Sequence, residues 1–344
     1  MPNHVNYSND VYGLLTDINS LNFKDKSVLI LGSGWMGKQY ALALSEMNVK
    51  DVTIFSRTKQ KAVELCNEFN YSPIFGNPED SLSNVSKKDL TIVATSINSL
   101  IPMTRIAIES GQTNILIEKP GSLYHDKLLE LEKISNKVRV RIAYNRLTYP
   151  NLHKLKSLVS KEGGISSCNF NFTERIQSID FKKENTDVYS RWGISNSLHV
   201  ISMVLDLIGF PKEFLFYQSG KLDWHPTGSI FVGSGLTEYD IPFSYHADWG
   251  SSGRWGIEVM TQENAYRLIS LEELYVCHKN SFEWEKVPFI TAYPKIKQGL
   301  AEEIAIMLYE ELESKIPLVT LEKASKFIQV AEKILGYDSN TNQT

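Results

Sequence analysis

The sequence predicts an α/β chain in two parts: a doubly wound parallel sheet, then an α+β domain built on a large, predominantly antiparallel open sheet. Three observations predict it. A glycine-rich turn, Gly32-Ser-Gly-Trp-Met-Gly37, separates the apolar run 28–31 from a helical stretch. Short apolar runs then alternate with helical segments as far as residue 145, the pattern of parallel strands joined through helices. Beyond a helix at 151–160 the period changes to two, in longer strands that alternate apolar and polar residues.

In chain order, residues 1–25 form a polar extension with one apolar patch, 11–21, expected as a short helix lying against the domain that follows. Residues 26–146 form a Rossmann domain with strands at 28–31, 52–55, 90–94, 115–117 and 138–143. Residues 147–336 form the second domain, with strands at 166–174, 213–219, 229–235, 241–247, 255–260 and 265–269 and closing helices at 294–314 and 321–335. The turn Trp249-Gly-Ser-Ser-Gly-Arg-Trp255 fits a hairpin between two aromatic-rich strands and receives no site. Residues 337–344 form a polar tail expected to fray.

The glycine spacing carries chemistry because each position has its own demand. Gly32 permits the tight bend, Gly34 lets the backbone approach a pyrophosphate, and Gly37 lets helix and strand pack closely; Ser33, Trp35 and Met36 complete the turn around the helix N-terminus that receives the phosphates. About 20 residues on, a dinucleotide site for NAD offers an acid to the ribose diol. This chain has Ser56-Arg57-Thr58 there, a guanidinium between two hydroxyls, which suits a 2′-phosphate and predicts NADP(H) in preference to NAD(H).

Composition excludes other classes. The chain has 344 residues, 42% hydrophobic and 22% charged, with a formal net charge of −4 and no basic block to hold nucleic acid or an anionic membrane. No apolar run reaches the ~18 residues of a spanning helix. The first residues lack an export pattern, so a cytoplasmic location is expected. Cys66, Cys168 and Cys277 are odd in number and widely spaced, which fits reduced buried thiols, and no metal-ligand spacing is present.

Several short motifs follow one another in order: Gly32 to Gly37, Val93-Ala-Thr95, Ala107-Ile-Glu-Ser-Gly111, Glu118-Lys-Pro120, Ala143-Tyr-Asn-Arg146 and a helix-borne His199. In this order and spacing the chain resembles the Gfo/Idh/MocA oxidoreductases, the glucose-fructose oxidoreductase and inositol dehydrogenase family, over about residues 26–336. The resemblance implies hydride exchange between a nicotinamide and a sugar or cyclitol carbon, with Lys119 and His199 managing the hydroxyl proton. It also implies that Thr95, Glu118 and Lys119 meet the cofactor and that the Lys119-Pro120 bond is cis. The chain departs from the family pattern at Ser96 and Leu100, and at Ser195, where the family usually has Asp four residues before the histidine.

Asn196 and Ser197 fit an N-cap pair, which would put His199 in the first turn of its helix, where the dipole favours a neutral imidazole. Asn196 is then placed to orient substrate or histidine. Tyr144, Asn145, Arg191 and Trp192 are expected to line the substrate pocket, Arg191 on an anion and Trp192 on a sugar face. The expected function is an NADP(H)-dependent oxidoreductase acting on a hydroxyl or keto carbon of a sugar, sugar acid or nucleotide-activated sugar, with a weaker pointer to bacterial surface-glycan biosynthesis. Two other readings stay open: a non-catalytic NADP-binding sensor or partner protein, and an imine reductase or a lyase working through transient oxidation. A homodimer or homotetramer is expected, because a single layer of strands with apolar residues on both faces would need a partner on its outer side.

Overall fold

The structure, a computed structural model, describes Val5 and residues 11–337. The chain falls into two compact units, one made of Gly13–Thr148 with Thr291–Lys326 and the other containing Tyr149–Ile290 and the chain from Phe327. The expected fraying of the tail lies, beyond Tyr337, outside the described residues.

The apolar patch near the start forms α1 (Val11–Thr16), which buries Val11 and Leu15, and a 3₁₀ turn at Ile18–Ser20. Farther on, Phe23 packs edge-on against Tyr309 at 5.5 Å, within the first unit. The strands of this unit are β1 (Ser27–Leu31), β2 (Asp51–Ser56), β3 (Ser72–Phe75), β4 (Leu90–Val93), β5 (Asn114–Glu118) and β6 (Arg139–Ala143). They pair in parallel in the order β3-β2-β1-β4-β5-β6, so the order reverses between β1 and β4. The connecting helices are α2 (Trp35–Glu46), α3 (Lys59–Phe69), α4 (Pro78–Leu82), α5 (Ile97–Glu109) and α6 (His125–Ile134). β4 is buried at every residue and β1 at all but its first, which explains their unbroken apolar runs. β3 escaped the sequence reading because Ser-Pro-Ile-Phe is short and carries Pro73, tolerable only on an edge strand.

The second unit opens with α7 (Pro150–Lys161) and β7 (Ser167–Phe172), followed by α8 (Thr186–Ser190) and α9 (Leu198–Ile208). Then come β8 (Pro211–Ser219), β9 (Ile230–Thr237), β10 (Pro242–Asp248), β11 (Trp255–Met260), β12 (Asn264–Ile269), β13 (Glu273–His278) and β14 (Glu285–Lys286). The sheet order is β14-β13-β12-β11-β7-β10-β9-β8, with β7 and β10 the one parallel pair among these strands. The open, predominantly antiparallel sheet is therefore as expected. The hairpin at 249–255 is not: β7 lies between β10 and β11, so the segment passes over the end of β7. It is anchored there by Trp249, fully buried, whose indole N–H donates to Phe172 O at 3.3 Å.

The inner face of this sheet carries Phe170, Phe172, Phe231, Phe243 and Tyr245, all buried and in ring contact, with α9 packed on β7. Full burial of each such ring is worth about 1.5–3 kcal/mol, which makes this cluster the main stabilising element of the unit. The outer face differs from the expectation of apolar residues on both sides. Alternation along the central strands puts Asn169, Asn171, Ser244, His246, Glu258 and Arg267 outside, and the exposed apolar residues gather on β8, with Leu215 at 67% and Tyr217 at 66% exposure.

The chain then returns to the first unit through α10 (Leu300–Leu308) and α11 (Glu310–Glu313), and ends in α12 (Leu321–Leu335). The helix predicted over 294–314 begins only at Leu300, because Gly299 turns the backbone at φ +85° and lies where any Cβ would strike Asn145 O at 2.0 Å. Arg139 of β6 closes the other end of α10, donating to Ile306 O at 3.0 Å and Met307 O at 2.8 Å while pairing with Glu313 at 2.7 Å. A cation on the last carbonyls offsets their partial negative charge.

Candidate functional site

In the first unit the glycine turn has the geometry its spacing demands. Gly32 has φ +126° and leaves only 2.3 Å between an added Cβ and Ala94 O; Gly37 leaves 2.0 Å to Gly32 O. Gly34 faces open space and begins α2 in an extended conformation without a side-chain cap, so the helix N–H groups are left for a ligand. Ser33 Oγ donates to Ser56 Oγ at 2.8 Å, tying the turn to the end of β2. Beyond it Arg57 and Thr58 are exposed, and the Arg57 guanidinium has no hydrogen bond or ion pair among the described residues. These residues fit a dinucleotide: close backbone approach, bare helix N–H groups and an uncommitted cation after β2.

Thr95, half-buried, follows β4, and Glu118 ends β5 next to Lys119, whose bond to Pro120 is cis. Both lie at the carboxyl edge of the parallel sheet, where ligands of such sheets bind. Tyr40 of α2 donates to Glu118 Oε1 at 2.6 Å. Burial pushes the Glu118 carboxyl above its usual range, while the Tyr40 hydroxyl, Lys297 and Lys119 oppose that shift. Lys297 lies over the Trp35 ring at 4.9 Å and 3.8 Å from Met36 Sδ.

Sequence reasoning missed the acids of α10. Glu302 and Glu303 stand in its first turn and are buried, and neither Glu303 oxygen has a hydrogen-bond partner among the described residues. Burial pushes the Glu302 carboxyl up to about 7. Burial, then Glu118 and Glu302, hold Glu303 well above the carboxylate range against the pull of Lys297. Burial and its acidic neighbours thus disfavour the ionised form of Glu303. Within an apolar helix, Leu-Ala-Glu-Glu-Ile-Ala, the paired acids were the available signal.

Tyr144 and Asn145 also belong to this unit. Tyr144 is buried, and burial pushes its hydroxyl up. Asn145 is buried, and its amide donates to Gln298 O at 3.0 Å, which fixes the loop entering α10.

In the second unit, His199 sits at the start of α9 and packs against Trp255 at 5.9 Å. The expected N-cap pair is absent. Ser197 has helical angles and a π-helical turn, Gly193–Ser197, leads directly into α9, so Asn196 and Ser197 lie inside a continuous helix. Their side chains turn to Glu174, which follows β7: Asn196 donates to Oε2 at 2.6 Å and Ser197 donates to Oε1. Glu174 is 4% exposed, so these hydrogen bonds replace the water it has lost. It escaped notice as the last residue of an alternating run, although a charge there was the signal. Ser195 donates to Trp192 O at 3.1 Å.

Arg191 departs from the expected anion contact. Arg191 is buried, pairs with Glu332 and lies over the Tyr337 ring at 4.9 Å, so its guanidinium is committed inside the protein. Trp192 stacks on Tyr189 at 6.1 Å and meets Trp224 edge-on at 6.5 Å, as part of an aromatic cluster. Cys66 and Cys168 are buried as expected, whereas Cys277 is half-buried on β13 because its side chain alternates to the outer face.

Comparison with known proteins adds three findings. The family model for shikimate / quinate 5-dehydrogenase matches residues 14–116, less than a third of the chain. The chain is 40% identical over 74 residues to a glutamyl-tRNA reductase of Methanobrevibacter smithii, covering 22% of this chain and 18% of that protein. It is 28% identical over 163 residues to one of Saccharolobus islandicus, covering 46% and 34%. The chain thus spans well under half the length of these relatives. Solved structures match nearly end to end: a putative NADPH-dependent oxidoreductase of Desulfitobacterium hafniense (TM-score 0.73, 15% identity, 90% of this chain and 94% of that one). A UDP-N-acetylglucosamine 3-dehydrogenase of Acidithiobacillus ferrooxidans gives a TM-score of 0.69 at 14% identity over 92% and 99%. Levoglucosan dehydrogenase in complex with NADH and L-sorbose gives 0.71 at 16% over 91% and 96%. The chain has the two-part fold of these oxidoreductases.

Proposed function

We propose that this protein is an NADP(H)-dependent oxidoreductase that moves hydride to or from a hydroxyl or keto carbon of a sugar-type substrate, a nucleotide-activated sugar included, in the cytoplasm. The observation that carries it is the run Glu118-Lys119-Pro120 at the carboxyl end of β5, in the same unit as a glycine turn whose open position, Gly34, leaves the helix N–H groups bare. The cofactor, when bound, supplies the hydride. Gly32 to Gly37 hold its pyrophosphate, and Ser56, Arg57 and Thr58 its ribose 2′-phosphate. Lys119 polarises the reacting oxygen and stabilises developing alkoxide charge, and His199 takes or returns the hydroxyl proton. Glu174, through Asn196 and Ser197, fixes the turn that leads into the helix of His199. A nucleotide-sugar dehydrogenase among the matching folds supports the substrate class, and surface-glycan synthesis is the setting we propose for it.

The test is single-turnover hydride transfer with saturating NADP(H) and a panel of nucleotide sugars. Lys119→Ala should keep its cofactor affinity and lose at least ~10²-fold in rate, as expected when a positioned proton-transfer group is removed. An unchanged rate removes Lys119 from the chemistry and leaves the cofactor-sensor reading in its place.

A further inference from the structure

Loop 175–178, which follows β7, and segment 251–254, which passes over the end of β7, face each other across a cavity of about 670 Å³ in the second unit. Arg175, Gln177, Ser178, Ser251, Ser252 and Arg254 line it, and no carboxylate does. Neither guanidinium has a hydrogen bond or ion pair among the described residues. The acids adjacent in sequence are otherwise engaged: Glu174 holds Asn196 and Ser197, Asp180 faces Lys183 at 3.7 Å, and Asp248 accepts from Gly250 N at 2.9 Å. Both arginines are exposed at the rim of a solvent-open cavity, and with no carboxylate in its lining an anion entering it meets two cations.

The walls are held in place. Thr173 Oγ1 accepts from Asp248 N at 3.0 Å, and Asn171 Oδ1 accepts from Thr173 N at 2.8 Å. Gly253 lies so close that an added Cβ would meet Thr173 Cβ at 2.6 Å. Each wall also adjoins the candidate site of the same unit. Arg254 precedes Trp255, which packs on His199, and Arg175 follows Glu174, which holds the turn before it.

We propose that Arg175 and Arg254 form an anion subsite for a phosphate or diphosphate on the substrate, with the serine hydroxyls and Gln177 completing the hydrogen bonds. Two guanidinium forks match the several oxygens of a phosphate or diphosphate better than the two of a carboxylate. A cavity of this size also lies within the range of small-ligand sites. Calling the anion a substrate group rests on the oxidoreductase reading; the subsite itself does not.

The experiment uses the intact protein with saturating NADP(H), so that the cofactor's own pyrophosphate site is filled. Inorganic pyrophosphate, UDP, glucose 1-phosphate and glucuronate are titrated by calorimetry into the native protein and into R175A/R254A. Pyrophosphate should bind the native protein and weaken at least tenfold in the double variant, with NADP(H) affinity unchanged in both. UDP binding tighter than pyrophosphate supports a nucleotide-linked phosphate, and glucose 1-phosphate binding tighter supports a sugar phosphate. Equal pyrophosphate affinity in the two proteins, no binding to the native one, or glucuronate binding as tight as pyrophosphate would overturn the subsite. Binding is read without turnover, so anion binding with no hydride transfer from any substrate defeats the oxidoreductase reading alone. A phosphorylated substrate turned over equally well by both proteins overturns the subsite alone.

Discussion

Arg57 shows what one residue type at one spacing can say. Its place after β2 needs no tertiary knowledge, because the glycine turn sets the register and the strand sets the direction. A charge-assisted hydrogen bond to a 2′-phosphate is worth roughly 1.5–3 kcal/mol, or about a ten- to hundredfold change in affinity. Arg57→Ala should therefore weaken NADP(H) by about that factor and leave NAD(H) nearly unchanged; equal losses for both cofactors in a fluorescence titration would remove the assignment. Arg191 is the counter-example. It sits in a polar stretch that suggests an open pocket, yet its partner Glu332 comes from α12, 141 residues away. The bond from Asn145 to Gln298 O likewise joins segments far apart in sequence. Side chains whose place is set by local backbone were legible, and those whose surroundings are set by a distant partner were not.

Among the elements, the inner strands of the parallel sheet were legible because burial on both faces leaves an unmistakable apolar run, whereas edge strand β3 was not, and α10 was mistaken because its start is set by Gly299 meeting Asn145. That late start places Glu302 and Glu303 in the first turn, where the helix dipole favours negative charge but burial opposes it. Burial prevails for Glu302, whose carboxyl rises to about 7 from an ordinary value of 4.5. A raised carboxyl binds its proton more tightly in the folded chain than in the unfolded one. Its stabilising contribution is thus complete below about pH 4.5 and is lost as pH rises through about 7, a change of about 3 kcal/mol. Glu302→Gln should flatten the dependence of the urea midpoint on pH between 5 and 7.5. A variant whose midpoint falls with pH as steeply as the native protein's would show that Glu302 is not the titrating group.

At the scale of the whole molecule, the change of period after residue 160 correctly announced a second sheet, but periodicity says nothing about which strands are neighbours, so β7 between β10 and β11 was beyond it. Nor did it show that the outer face is polar at its centre. A row of Asn, Ser, Glu and Arg can stay in water, and this weakens the original reason for expecting an oligomer. What remains is narrower: Leu215 and Tyr217 are exposed on edge strand β8, next to the half-buried Val232 and Leu236 of β9. Apolar side chains grouped on an exposed edge are the part of this face that gains by leaving water. A homodimer held there predicts light scattering at twice the chain mass at micromolar concentration, and a shift to monomer in L215K/Y217K, where two ammonium groups would have to be buried unpaired. Monomer in the native protein counts against association altogether, whereas a dimer that survives both lysines must be held by another surface.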